Sequence, residues 1–352
     1  MYRTRDGRVR VGGAVYGIAA EVVDRTGAVW TMLTAADGSR SPGEIADRVV
    51  EVHPGERRGA VLAALRTFVD AGYLDNAAAG DPAGLTARER ERYGRGRRFL
   101  RWIDLRRRDD SWEPQLLLKA ARVVLLGVGG TGGTAALALA ASGVGRLHCV
   151  DGDVVELSNL NRQVLFTEDD VGRVKVEVAV ERLRRLNSDV TITGERATVT
   201  GPAGIGEIIR ECDVFVLCAD QPGEIRAWAN AACLASGTPW VDAGYHGPSV
   251  TAAAYVPGDG PCYECCWLAD HEKHDTVVGG RPYSVRRGGP TAVNAASAGL
   301  SGHLAAHLTV ALITGVPAVT PGRLMGVNLV ADADPYVTYA RRPDCPACGG
   351  RR

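Results

Sequence analysis

Gly127-Val128-Gly129-Gly130-Thr131-Gly132 follows an apolar run, Val123 to Leu126, and precedes an alanine- and leucine-rich one. Glycine at Gly127, Gly129, Gly130 and Gly132 permits a tight strand-to-helix turn. It also lets a phosphate or ribose approach the backbone N–H groups at a helix N-terminus. Asp151 lies nineteen residues past Gly132, at the end of the next apolar run, where a carboxylate binds ribose hydroxyls. To this point the pattern serves a NAD-dependent oxidoreductase equally well.

The residues that follow favour a triphosphate. Asp151-Gly152-Asp153 leads into Asn159-Leu160-Asn161-Arg162-Gln163 and then Lys175. A dinucleotide site has no use for that cluster, whereas a triphosphate under attack needs fixed cations against its developing charge. A further apolar run, Val214 to Cys218, ends in Ala219-Asp220. A carboxylate at the C-terminal end of such a strand faces the ligand crevice and suits magnesium.

Two C-x-x-C pairs, Cys262 with Cys265 and Cys345 with Cys348, stand 79 residues apart among nine cysteines. An odd count without a disulfide framework, in a chain with no signal peptide at its start, reads as metal ligation in the cytoplasm. Four thiolates suit a closed, structural tetrahedral zinc site; the alternative is two unrelated pairs of buried thiols. Cys149, Cys212, Cys218 and Cys233 fall in predicted strands or helices as small buried hydrophobes. Cys266, adjacent to the candidate ligand Cys265, falls in neither group. His271-Glu272-Lys273-His274 spaces its histidines three apart rather than the four of a zinc protease, and reads as polar loop.

Strands at 123–126, 147–150, 190–193, 214–218 and 240–241, separated by helical patterning, predict a doubly wound, mainly parallel α/β sheet of Rossmann type over 111–352. Within it, 269–289 is polar and rich in Gly, Arg and His, and is expected to be a mobile loop. Residues 1–75 read as a smaller α+β domain. A hairpin is predicted from 8–11 and 15–20, then helices carrying Val29, Trp30 and Leu33, then Ile45, Val49 and Val50, then Val61, Leu62, Leu65, Phe68 and Val69. Ser41-Pro42-Gly43-Glu44 is a capping box opening the second helix. Three helices with a small sheet are winged-helix-like. Residues 76–110 are a linker and an arginine-rich helix, with ten arginines against five acidic residues in 86–110.

Formal net charge is zero, from 41 basic and 41 acidic residues, and residues 1–75 hold ten of each. Neither nucleic acid nor an anionic membrane is indicated. No run of 18 apolar residues occurs, and the expectation is of no membrane span.

On the motifs at 127–132, 151–163, Lys175 and Asp220, the chain resembles the ubiquitin-activating-like superfamily, with the adenylyltransferases of molybdopterin and thiamine biosynthesis. Pro239 to Tyr245, Tyr255 to Gly258 running into Cys262-Tyr263-Glu264-Cys265, and Cys345 to Gly349 are similar to the branch that matures the peptide antibiotic microcin C. The resemblance implies that Asp151 binds ribose, with Asp153, Asn159, Asn161 and Gln163 around the nucleotide. It implies that Arg162 and Lys175 hold the triphosphate of ATP, that Asp220 coordinates Mg2+, and that the four cysteines hold Zn2+. It further implies a homodimer in which an N-terminal arginine reaches the partner subunit's phosphates; Arg95 is the candidate, against a plain surface arginine. The chain departs from the family in having Gln221 after Asp220, and its Arg226 falls one residue late.

The front domain resembles the leader-peptide recognition element (PqqD-like) of ribosomal peptide maturation; a structural or dimerising role is the alternative. The implied function is ATP-dependent adenylation of a carboxylate, or a terminal amide, on a precursor peptide. A sulfur-carrier activator and a leader-binding adaptor without catalysis are the competing readings.

Overall fold

The computed structural model describes residues 1–12, 20–104, 106–274, 292–331 and 336–350. The chain divides into two compact units, Met1–Leu116 and Leu117–Arg352.

In the first unit, β1 (Tyr2–Arg3), β2 (Arg8–Val11) and β3 (Ala20–Val23) form an antiparallel sheet in that order. β2 pairs with β3 from Arg8↔Val23 to Val11↔Ala20, so its partner begins where the predicted one ends; 13–19 lie outside the described residues. Asp24 then caps α1 (Ala28–Ala35): its two carboxylate oxygens accept from the backbone N–H of Val29 and Trp30, each at 3.1 Å. The capping box of α2 (Pro42–Val52) is formed, with Ser41 N donating to Glu44 Oε2 at 2.7 Å. With α3 (Arg58–Asp70), these helices bury Val9, Met32, Leu33, Ile45, Val49, Val61, Leu65 and Phe68 as one core. Val29, Trp30, Val50, Leu62 and Val69 pack only part-buried at its edge.

The arginine-rich segment forms α4 (Ala87–Ile103), opened by a second capping box from Thr86 and Glu89. It packs into this unit. The Trp102 indole N–H donates to Gly12 O at 2.6 Å, and Arg101 pairs with Asp75 at 2.6 Å. Helix α5 (Glu113–Ala120) carries the chain into the second unit.

There the sheet order is β11-β10-β9-β8-β7-β4-β5-β6. Strands β4 (Arg122–Leu126), β5 (Arg146–Val150), β6 (Thr191–Glu195), β7 (Val214–Leu217) and β8 (Trp240–His246) are mutually parallel. β9 (Ser249–Tyr255), β10 (Arg323–Asn328) and β11 (Val337–Thr338) extend it antiparallel. The chain moves outward through β5 and β6, then returns to the other side of β4 as β7. That reversal makes a switch point at the C-terminal ends of β4 and β7, where open α/β sheets bind ligands.

Helices α6 (Gly130–Ser142), α7 (Lys175–Leu186), α8 (Pro202–Ile208) and α9 (Ile225–Ser236) cover the parallel strands. Two helices differ from the sequence reading. Residues 269–274 are not loop but the second half of α10 (Tyr263–His274), where the His271 ring stacks on Trp267, centroids 3.8 Å apart; 275–289 lie outside the described residues. The other is α11 (Ala295–Thr314), which no periodicity announced because alanine, glycine and serine supply its packing face. Among the described residues it alone has the length and composition of a membrane span. It packs instead on α6, β8 and β9 as a core helix, burying Ala298, Ser301, Gly302, Ala305 and Thr309.

Candidate active site

The glycine turn is built so tightly that the backbone dictates residue type. Gly127 has φ +91°, and a β-carbon there would lie 2.8 Å from Ala219 N, across the switch point. At Gly132 a β-carbon would fall 1.7 Å from the Gly127 carbonyl oxygen, and at Gly130 2.9 Å from Ala298 Cβ. Gly129 is different: its β-carbon would meet only the Gln163 side-chain amide, at 3.5 Å. The cradle is therefore sterically closed beneath 127 and 132 and open at 129. Gly132→Ala is expected to destabilise the fold by about 3 kcal/mol or more through backbone displacement. Gly129→Ala should leave the melting temperature within a few degrees while weakening nucleotide binding. Thermal melts with ATP titration of both variants check this.

Asp151, 7% exposed, closes the other side. Its Oδ2 accepts from Val128 N at 2.8 Å and its Oδ1 from Asp153 N at 2.9 Å. A carboxylate has about four lone-pair sites, so two remain for ribose hydroxyls.

Asp153 and Lys175 are 22 residues apart in sequence, yet Lys175 Nζ lies 2.9 Å from Asp153 Oδ2. The isolated bridge Val154↔Val174 and the bond from Lys175 N to Asp153 O bring them together. Asp170, accepting from Thr167, Arg173 and Arg182, holds the returning chain. Lys175 is 6% exposed, whereas the Asp153 side chain is 72% exposed. The ammonium is thus held by an acid that water screens.

Within the intervening loop, Asn159 is buried and its Oδ1 accepts from Glu156 N at 3.1 Å, while Asn161 is exposed. Arg162 donates to Ser158 O at 2.9 Å and Asn161 Oδ1 at 3.1 Å. Gln163 Oε1 is buried without a hydrogen-bond partner among the described residues, and the amide nitrogen of the same side chain is what a β-carbon at Gly129 would meet. An unpaired buried acceptor costs free energy until a donor arrives.

Asp220, one residue beyond the Ala219 that abuts Gly127, is exposed. It stands near Arg226 and Tyr245 and raises the pKa of each. Oxygen donors are what a hard cation takes, and Asp220 fits that use. Two partners, Asp242 and Tyr245, lie in the segment 239–245 but were given no site role from the sequence. Arg226 Nε lies 3.0 and 2.9 Å from the oxygens of Asp242, whose charge holds the guanidinium well above its usual range. Tyr245, raised by burial and opposed by the adjacent Arg162, hydrogen-bonds that arginine. Parallel pairing of β7 with β8, Leu217↔Asp242, puts both at the mouth. Behind the cradle, Thr131 Oγ1 and Ser301 Oγ are 2.7 Å apart and tie α6 to α11.

Arg95 is an exposed residue of α4 in the first unit.

The four C-x-x-C cysteines converge. Their sulfurs all lie within 4.8 Å of one another, with Cys262–Cys265 at 3.9 Å, Cys262–Cys345 at 3.7 Å and Cys265–Cys348 at 3.5 Å. A tetrahedron of zinc–sulfur bonds of about 2.3 Å has edges of about 3.8 Å, so the donor set fits zinc. Arg342 N and Asn230 Nδ2 point at Cys265 and Cys262 sulfurs, at 3.4 and 3.7 Å, as thiolate donors would. By contrast, burial pushes the Cys149 and Cys212 thiols up to about 12 and raises Cys218 and Cys233 as well. These are protonated and unreactive at neutral pH. Cys266 is buried, its sulfur 3.9 Å from Gly322 O.

A tight glycine turn at the switch point, with a buried lysine, a half-buried arginine and an exposed carboxylate around it, is an arrangement that suits a nucleotide-handling α/β enzyme. The sequence profile of the ThiF family matches residues 102–347, and the chain belongs to that family. It is 36% identical over 242 residues to the vegetative HesA protein of Trichormus variabilis, covering 67% of this chain and 84% of that one. It is 33% identical over 246 residues to the sulfur carrier protein ThiS adenylyltransferase of Escherichia coli, covering 69% and 91%. Among solved structures, E. coli MccB with ATP superposes with a TM-score of 0.74 at 23% identity, over 97% of this chain and 98% of that one. The microcin C7 biosynthetic enzyme MccB in complex with N-formylated MccA gives 0.75 at 22% identity, over the same shares. These likenesses bear out the expected family and its mainly parallel α/β fold.

Proposed function

We propose that this chain adenylates a carboxylate, or a terminal amide or carboxylate, of a ribosomally made precursor peptide, releasing pyrophosphate. The family's curated relatives are adenylyltransferases, which supports the chemistry. The observation that carries the peptide half is the front unit. Residues 1–101 lie outside the family match, yet the solved chains similar along 97% of this one include MccB with N-formylated MccA.

A carboxylate is ionised at pH 7, so its attack on the α-phosphorus of ATP needs no general base. One phosphorus–oxygen bond forms, and the bond to the pyrophosphate oxygen breaks. Arg162 and Lys175 offset the charge that builds on the phosphate oxygens, and Asp151 fixes the ribose. Asp153, Asn159, Asn161 and Gln163 hold the surrounding loop and cradle. Asp220 would hold magnesium, which when bound neutralises phosphate oxygens and the leaving pyrophosphate. Arg95 would reach the phosphates of a partner subunit in a homodimer. The cysteine cluster would hold zinc as a structural clasp, and the enzyme would work in the cytoplasm.

The front unit would bind the N-terminal leader by strand addition, so that backbone bonds give affinity and pockets give register. Tethering makes delivery of the reactive end intramolecular, worth roughly tenfold to several hundredfold in turnover. A leader added as a separate peptide should therefore compete with full precursor, while ATP binding is unchanged. Full activity on a leaderless core peptide, with no competition, would move the front unit to a dimerising role.

The relatives at 33–36% identity favour a second reading, activation of a sulfur carrier protein. Pyrophosphate exchange supported by a folded carrier and not by any precursor peptide would establish it instead.

A further inference from the structure

The front unit contains a cavity of about 370 Å3 between the end of β2, the chain after α3 and one face of α4. Residues 97, 98, 101 and 102 of α4 line it, the spacing that puts side chains on one face of a helix. Three of them are arginines, but their charges are not equally spent. Arg101 pairs with Asp75, itself a lining residue, and also donates to Asp104 O. Arg97 donates to Ser111 Oγ at 3.2 Å and lies over the Trp112 ring, 4.8 Å from its centroid. Arg98 has no hydrogen bond or carboxylate partner among the described residues.

Tyr73 and Trp102 are both in the lining, the latter pinned by its bond to Gly12 O. A guanidinium uncommitted among the described residues, in a lining that holds two aromatic rings, suits one carboxylate on a short apolar stem. A polyphosphate carries several charges and would find one free partner here. A volume of a few hundred Å3 takes a side chain and its flanking backbone.

We propose that this cavity is the subsite for an acidic side chain of the precursor peptide's leader, Glu or Asp, with Arg98 donating to its carboxylate. The assignment rests on the reading of the front unit as the leader-binding element. It narrows the substrate class to leaders with an acidic anchor, because the leader is the N-terminal part of the peptide and its carboxylate there must come from a side chain.

The test uses the full chain against an array of twelve-residue peptides, random except for a central position fixed as Glu, Gln or Lys. Glu-centred peptides should be retained about tenfold better than Gln-centred ones, as for a charge-assisted hydrogen bond. Arg98→Ala should abolish the difference, and Arg98→Glu should turn the preference towards Lys. Arg98 is exposed, so both variants should fold, and the Glu-to-Gln comparison on wild-type protein involves no protein variant at all. ATP titration should be unaffected by Arg98→Ala. Peptide retention with no preference at the central position would overturn the acidic subsite and leave the leader reading standing. Retention of no peptide of any kind would overturn both. Loss of ATP affinity in Arg98→Ala, with peptide preference intact, would assign the arginine to the nucleotide and overturn the proposal.

Discussion

Lys175→Ala, Arg162→Ala and Asp220→Ala should each slow substrate-dependent ATP–pyrophosphate exchange by roughly a hundredfold or more, about 3 kcal/mol of transition-state stabilisation. The structure explains why folding should survive all three. Removing the Lys175 ammonium leaves Asp153, whose carboxylate is 72% exposed, in water rather than stranded in apolar surroundings. Arg162 donates to a loop carbonyl and to the exposed Asn161 and bonds the half-buried Tyr245, contacts at the mouth of the site that water can replace. Asp220 is exposed outright. Melting temperatures within a few degrees of wild type, measured beside the exchange rates, separate catalysis from stability. Near wild-type exchange in all three variants would show that the phosphates are held elsewhere.

Loss of the proposed metal clasp should have the largest effect on stability. Structural zinc can contribute on the order of 10 kcal/mol to local folding, and the ligands join the start of α10 to the chain's last described turn. Cys345→Ser should lower zinc content from one per chain towards zero, drop the melting temperature and expose the segment after β11 to proteolysis. The turn is unforgiving: a β-carbon at Gly349 would meet Cys345 O at 2.4 Å. Elemental analysis of protein purified without chelator, alongside limited proteolysis, reads both effects. Protein with no zinc and an unchanged melt in Cys345→Ser would reduce the cluster to packed thiols.

How much of this was legible in the sequence depends on how local each feature is. β4, β5 and β7 were readable because each is a short apolar run leading to glycine or a carboxylate within a few residues, and β4 with its glycine turn is continuous in sequence. The capping box at Ser41 is a four-residue signal and formed as local chemistry dictates; the same signal at Thr86 was there to be read and went unread. Helix α11 was not legible, because an element packed on α6 through Gly302, Ser301 and alanines carries no alternation of apolar and polar residues. The antiparallel extension β9–β10 hides in an alanine-rich run whose pairing, Val250↔Val327 to Ala253↔Leu324, spans more than seventy residues. In the site, residue types were visible but partnerships were not. Lys175 stood out as a cation, yet its pairing with Asp153 depends on the Val154↔Val174 bridge. Arg226 was marked by family resemblance, while Asp242 and Tyr245 became site residues only when β8 aligned beside β7.

The proposed reaction turns on one bond-forming event, attack of a substrate carboxylate oxygen on the α-phosphorus. Precursor peptide carrying oxygen-18 in the carboxylate to be activated, incubated with ATP and the full chain, tests it directly by mass spectrometry of the nucleotide product. Adenylation followed by cleavage at the acyl carbon leaves one labelled oxygen in AMP, with pyrophosphate formed in equal amount. AMP free of label, or ADP and phosphate in place of AMP and pyrophosphate, would contradict it.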